Sequence, residues 1–511
     1  MARRPAIEIA RERAELAALR LRTFSQTKQL ETAKRAYDAA RPDQYHPRRG
    51  DAKSANAVMQ HAGARLRETA RYLDENSDIA IGVLDDLVSK IVGCGIGVEP
   101  QVVGRDGTLL EPLNDQIKTA WREWCDGPPE VKRDLPWAEL QRQVCRAIYR
   151  DGEILVQHLE GNSTEARHRG LVPYSLAVLE ADYLPFDDLT RPIKQAPRII
   201  HGVEISTRGE ALAYHLLPAH PGDFFYTPSF SPRDIVRIPA DQITHLKHTR
   251  RFGQQRGVTI FHGVLNRLNQ LLDWDDSELT GAKVASAFTV AITRSADFAG
   301  TVDVDTGKRT FELAPGMIFD NLLPGEGIET IGQNRPNAQY GPFRAEGLRA
   351  VAAGTGTSYS SISRRYEGSY SSQRQEMVES AIPYARLREY FVRMFLADVY
   401  RRFLDMAELA GVIDFTGAAP ASRAAFSPIV PAMPWIDPLK EINADIAAIG
   451  AGIKSRHEVI RARGGDPREV DRQIETDTFT SADATPNPAE PPDPEIGDPE
   501  NADAQQAAVA A

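Results

Sequence analysis

Between residues 153 and 250 the chain offers six strand-like segments in succession, at 153–160, 174–184, 198–206, 211–218, 235–239 and 243–248. No helical segment lies between them. Parallel strands need a crossover of about a dozen or more residues, usually a helix, whereas strands joined by turns pair antiparallel. The run therefore excludes a doubly wound sheet and predicts an α+β fold. Arg208-Gly209 reads as a hairpin turn.

Helical periodicity brackets this run. Leu66, Ala70 and Leu73, then Ile79, Val83, Leu87 and Ile91, recur at helical spacing, with Asn76-Ser77-Asp78 as punctuation. Gly93 to Gly97 ends the second helix, and a hairpin turning at Asp106-Gly107 follows. Segments 113–125 and 136–150 read as amphipathic helices anchored in the core by Trp121, Trp124 and Trp137. Beyond the strands, 256–293 reads as one long helix, 301–340 as short strands and Pro/Gly turns, and 343–354 as a helix. A polar loop spans 357–372, and a long helix spans 373–410, with Pro383 expected to kink it. A Pro-rich connector at 420–434 leads to a small helical segment, 436–478.

The 511 residues fit about three domains of ordinary size, and 42% hydrophobic with 26% charged is a globular composition. No apolar run reaches the length of a transmembrane helix, and the charged N-terminus does not read as a secretory signal. Cys94, Cys125 and Cys145 are too few for a disulfide framework and read as thiols of a reducing cytoplasm. The net charge is −10, which argues against broad electrostatic adhesion to DNA. Residues 1–45 carry ten basic against six acidic side chains, an arm of net +4. The tail, 481–511, holds six prolines, seven acids and no base, so it is expected to be disordered.

Catalytic motifs are incomplete throughout. Gly307-Lys308 lacks the rest of a phosphate-binding loop, and the glycines at 93–97 follow a helix rather than a strand. His457-Glu458 has Arg461 where a zinc-binding pair needs its second histidine. Asp85-Asp86, Asp187-Asp188 and Asp275-Asp276 read as solvated charge, and His245, Lys247, His248, Arg250 and Arg251 as a polar strand edge or a phosphate or subunit contact. The loop running from Tyr359 to Arg374 is different. Its hydroxyls, tyrosines and arginines suit contact with phosphate and sugar, which carries no sequence information. Its bland alternative is a surface loop.

Several blocks recur in a familiar order. They are 65–76, 91–97, Trp121-Arg122-Glu123-Trp124, 150–156, 238–246, Gly253-Gln254-Gln255-Arg256-Gly257-Val258, 343–356, 370–372 and 437–444. Together they resemble the lambda family of bacteriophage portal proteins across about 55–478. The resemblance implies a ring of twelve subunits at a capsid vertex, through which double-stranded DNA enters and leaves. Each subunit would have an α/β wing, a helical stem, a small β-rich clip and a helical crown. On this chain that places a basic arm at 1–54, the wing at 55–255, stem helices at 256–293 and 341–356, and the clip at 294–340. The tunnel loop would be 357–372, the long helix and return to the wing 373–434, the crown 435–480 and the tail 481–511. Arg364, Arg365, Tyr366, Ser369, Tyr370 and Arg374 would face the DNA channel. The resemblance implies no catalysis, cofactor, metal or membrane. Its partners would be the terminase large subunit, the major capsid or scaffolding protein and head–tail connector proteins, in the virion and in the host cytoplasm during assembly. Two rivals are a metal-dependent nucleic-acid-processing enzyme and a head-completion protein that conducts no DNA.

Overall fold

A computed structural model of the chain describes residues 15–23, 53–161, 168, 170–186, 198–223, 235–286, 290–294, 326–330, 338–366, 368–432 and 438–476. The acidic tail, Asp187-Asp188, and most of the arm and of 294–340 lie outside the described residues. The chain divides into two compact units, 1–57 and 58–511. In the first, residues 15–23 form a helix with exposed side chains. All elements named below lie in the second, apart from the first turn of α1.

Helices α1 (Ala55–Asn76) and α2 (Asp78–Ile91) are separated by Ser77, whose hydroxyl caps α2 by accepting from the Ala80 amide at 3.3 Å. Helix α2 buries Ile79, Val83, Leu87 and Ile91, the face its spacing predicts. The chain then enters β1 (Gly97–Pro100). The expected hairpin reduces to a turn with a lone bridge between Val103 and Leu109. The ladder partner of β1 is a segment more than three hundred residues away, 426–429. A hairpin reading sees only neighbours in sequence, so it misses such pairing.

Helices α3 (Glu111–Asp126) and α4 (Trp137–Arg150) bring their tryptophans together. Trp121 and Trp124 stack at 5.0 Å, Trp124 stacks on Tyr174 at 5.5 Å, and Trp137 meets Trp121 edge-on at 5.8 Å. The strands follow: β2 (Glu153–Glu160), β3 (Tyr174–Glu180), β4 (Arg198–Ile200), β5 (Val203–Ile205), β6 (Ala211–Leu216), β7 (Val236–Pro239) and β8 (Ile243–Lys247). They form two antiparallel sheets, β3-β2-β8 and β4-β5-β6-β7. The segment 198–206, expected as one strand, folds back on itself. His201 and Gly202 both take positive φ (50° and 80°), as a tight two-residue hairpin requires. The turn expected at Arg208-Gly209 is present, with Gly209 at φ 92°.

The long helix expected at 256–293 is shorter. A 3₁₀ turn at Ile260–Gly263 precedes α5 (Leu265–Ser286), and β9 (Val290–Arg294) follows, paired antiparallel with β10 (Glu326–Thr330). Apolar spacing runs through all three states and hides their borders. Helix α6 (Tyr340–Thr355) lies antiparallel to α5. Leu271 Cδ2 comes within 2.7 Å of where a Cβ on Gly347 would sit, and Trp274 packs on Phe343 at 4.9 Å. Arg344 Nε pairs with Asp275 at 3.0 Å. Next come α7 (Tyr359–Ser363), α8 (Tyr370–Phe391), a π-helical turn at Val392–Leu396 and α9 (Ala397–Leu409). Pro383 lies inside α8, and the π turn follows the end of that helix. After β11 (Phe426–Ile429), α10 (Pro438–Gly450), α11 (Arg456–Ala462) and α12 (Pro467–Thr476) complete the described chain.

One large core joins these parts. Val399, Tyr400, Phe403 and Leu404 of α9, and Phe395 and Leu396 of the π turn, pack with α2, α3 and α4. Phe403 lies 5.0 Å from Trp121. A smaller cluster sits between the sheets, with Leu155, Tyr214, Leu216 and Ile243.

Candidate nucleic-acid interface

The segment expected as a plain loop at 357–372 is a built structure. Gly356, left-handed at φ 74°, closes α6. Ser358 caps α7, and Ser369 caps α8 by accepting from the Ser372 amide at 3.3 Å. Short helices were masked in the sequence by the serines, which favour turns and caps equally. Tyr370 already belongs to α8.

Three side chains of α8 hold this segment. Glu376 accepts from Ser358 Oγ at 2.5 Å, from the Ser360 amide at 3.0 Å and from Ser360 Oγ. Burial pulls its pKa up, but these donors outweigh it and hold the carboxyl below the usual glutamate range. Tyr384 donates to Asp86 of α2 and accepts from the Ser358 amide at 3.3 Å. Burial and the bond to Asp86 raise its pKa. Gln373 donates to the carbonyls of Tyr366 and Gly368, both at 3.0 Å. Asp86 is therefore a buried acceptor, which corrects its reading as solvated charge. Asp275 is likewise engaged, by Arg344 and by the Tyr340 hydroxyl at 2.8 Å.

Above this clamp Arg364, Arg365 and Tyr366 are all exposed. Arg364 adopts φ 54°, left-handed at the end of α7. The structure keeps these three together. Ser369 is used as a cap, and the Tyr370 side chain lies outside the described residues. Arg374 departs from the group. It lines a cleft of about 370 Å³ in which the acids Glu441, Asp445 and Glu458 are matched by Arg374, Lys454 and Arg463.

A second cluster was misread in the sequence. Arg256 is fully buried. Its Nε donates to Glu153 Oε1 at 2.7 Å, and its other nitrogens donate to the carbonyls of Leu184 at 2.7 Å, Ala181 at 2.9 Å and His201 at 3.3 Å. Its guanidinium also stacks over Phe186 at 4.1 Å. Glu153 Oε2 accepts from the Gly257 amide at 2.8 Å and faces His245 Nε2 at 2.9 Å. Burial works against the Glu153 charge, yet Arg256 and His245 hold its pKa far below normal. His245 lies on the edge strand β8, but its side chain is buried, and burial drives its pKa down. His248 is half-buried, and its Nδ1 bonds to the Val258 carbonyl at 2.9 Å. The available signal was the flanking glycines. A Cβ on Gly257 would lie 1.9 Å from the Gly152 carbonyl oxygen, and one on Gly152 2.4 Å from Val258 C.

Among the described residues, Glu180, Asp182 and His220 form a trio with ligand atoms close enough for a metal. Arg71 Nη2 already lies 2.7 Å from Asp182 and 3.2 Å from Glu180, so a guanidinium supplies the positive charge there. No described helix is long and apolar enough to cross a membrane.

Comparison with known proteins adds a further line. A family model described as phage portal protein, lambda family, matches residues 41–388. The probable portal protein of Halomonas phage phiHAP-1 is 25% identical over 439 residues, covering 84% of this chain and 83% of that one. Portal protein B of Escherichia phage lambda is 25% identical over 313 residues, 54% of this chain and 58% of its own. Among solved structures, a chain from the neck of a native gene transfer agent particle computed with C12 symmetry aligns over 81% of this chain and 94% of that one. It is 13% identical, with a TM-score of 0.40.

Proposed function

The chain belongs to the lambda family of phage portal proteins, structural components of the capsid rather than enzymes, and on that premise we propose that it forms the ring that conducts double-stranded DNA at one capsid vertex. The observation that carries the conduit is the clamped segment between α6 and α8. Two arginines and a tyrosine stand outward on a base fixed by Glu376, Tyr384 and Gln373. Such groups touch phosphate and sugar whatever the sequence. A small cationic tip on a chain of net charge −10 guides a polyanion without retaining it.

In this reading 55–255 is the wing, the antiparallel pair α5 and α6 is the stem, 294–340 is the clip and 435–480 is the crown. The segment 357–372 faces the channel, with Arg364, Arg365 and Tyr366 nearest the DNA and Ser369, Tyr370 and Arg374 behind them. The clip receives the terminase large subunit. The ring, of twelve subunits, also meets the major capsid or scaffolding protein and head–tail connector proteins. It assembles in the host cytoplasm and ends in the virion.

Two experiments test this. Electron microscopy of the purified protein should show rings whose central channel admits duplex DNA. Replacing Arg364→Glu and Arg365→Glu together should leave rings intact and reduce packaged DNA several-fold. Wild-type packaging by that variant removes these residues from the channel.

A further inference from the structure

Strand β3 lies at an edge of its sheet, and only part of that edge is covered. In an antiparallel ladder every second residue turns its N–H and C=O away from the partner strand. Leu176 is such a residue. Its amide donates to the Pro129 carbonyl and its carbonyl accepts from the Val131 amide, both at 2.9 Å. The Tyr174 carbonyl, two residues back, accepts from Trp124 Nε1 at 3.0 Å. Val178 and Glu180 continue the series, since β3 pairs with β2 in unbroken register from 174 to 180. The covering segment does not follow them. It makes a single parallel bridge, Glu130 with Leu176, and Arg133, left-handed at φ 64°, turns the chain away. Among the described residues, no backbone group bonds to Val178 or Glu180 on that side.

A cleft of about 490 Å³ opens beside this bare stretch, between β3 and helix α4. Leu140 and Val144 of α4, Ile154 of β2 and Val178 give it apolar walls. Glu130 also lines it. This residue is only 6% exposed, and its Oε2 has no hydrogen-bond partner among the described residues. A buried carboxylate oxygen without a donor is costly, and a cation that brings a donor removes that cost. Most other charges of the cleft are already engaged: Arg146 and Arg150 pair with Asp74, Glu139 with Arg142, and Glu180 with Arg71. Lys132, which also lines it, is exposed.

We propose that this edge binds an extended segment of a partner protein, which adds a strand beside β3 and sets a lysine or arginine against Glu130. Main-chain donors and acceptors that repeat every second residue are recognised by another main chain in the same conformation. The bare stretch, 177–180, is about 13 Å long at roughly 3.3 Å per residue, room for about four residues of an incoming strand. Alternate side chains of that strand face α4 and meet the apolar walls. Glu130 supplies the selection by charge. A basic side chain there gains a charge-assisted hydrogen bond, and an acidic one meets a like charge out of water.

A library of random decapeptides displayed on yeast, sorted with the purified full chain, tests this. Sorting should enrich peptides that alternate β-branched or aromatic residues and carry one lysine or arginine. The tightest of them, made synthetically, should slow amide exchange at Val178 and Glu180. Methylating its alternate backbone nitrogens removes donors and keeps the side chains, and should weaken binding about tenfold or more. Glu130→Gln should also weaken it about tenfold, and should not affect an analogue with norleucine in place of the basic residue. Val178→Pro removes an outward N–H that takes no part in the ladder with β2, so the variant should fold and lose the peptide. The methylated peptide needs no protein variant, so it decides the matter even where Val178→Pro fails to fold. A library with no enrichment overturns the proposal. So does an enriched peptide that tolerates both methylation and Glu130→Gln. Val178 and Glu180 amides already protected in the chain alone would show that this chain or a second copy fills the edge, and that result overturns it as well.

Discussion

Arg256 shows how much one side chain can organise. Its buried guanidinium ties the 3₁₀ turn at 181–183, the hairpin at His201 and the start of β2 to the stretch that leads into α5. Two charges out of water persist only with full hydrogen bonding, and here both are satisfied. Removing one partner strands the other. Either Arg256→Ala or Glu153→Ala should lower the unfolding free energy by about 3–5 kcal/mol, and the double variant by less than the sum. Urea titration of all four proteins checks this. The sequence hid the pair because 103 positions separate its members, and because an arginine between glutamine and glycine reads as a turn residue. The neighbouring histidines were misjudged for a related reason: β8 is an edge strand of its sheet, and its sequence does not show that one face is covered.

At the scale of elements, local periodicity carried far. The face of α2, the three tryptophans, β2 and the hairpin turn at Gly209 follow from spacing and turn chemistry alone. What failed needed distant information. The partner of β1 lies at 426–429, and the hairpin at His201-Gly202 uses a left-handed histidine that no common turn dipeptide announces. For the candidate site, the polar character of 357–372 was legible. The clamp was not, because Glu376 and Tyr384 look like ordinary positions on a long helix. The clamp has a pH signature. Folding depresses the Glu376 pKa, so the carboxylate contributes stability that is complete above the unfolded value of about 4.3 and is lost as pH falls through the lower folded value. Amide exchange at 358–362 should therefore accelerate in acid below that point. Glu376→Gln should give fast exchange already at pH 7, with the α9 core unaffected; unchanged protection in this variant would remove the clamp from the account.

For the whole molecule, charge and connectivity matter most. In the proposed ring, twelve copies at −10 each would carry −120 formal charges, and such a ring would repel duplex DNA on average. Purified rings should not retain linear duplex in a gel shift at about 0.15 M salt and micromolar ring, where non-specific DNA binders of Kd about 1 μM would. Tight retention would show that the bore captures DNA instead of passing it. Connectivity has its own consequence. The core is closed by α9 and β11, which place Phe403 5.0 Å from Trp121 and pair residues 97–100 with 426–429. A nascent chain exposes its tryptophans and an unpaired β1 while the ribosome adds some three hundred further residues, roughly 15–65 s at about 5–20 residues per second. During that interval the first half of the subunit cannot complete its core, and its apolar surface and unpaired strand stay open to aggregation until α9 and β11 emerge.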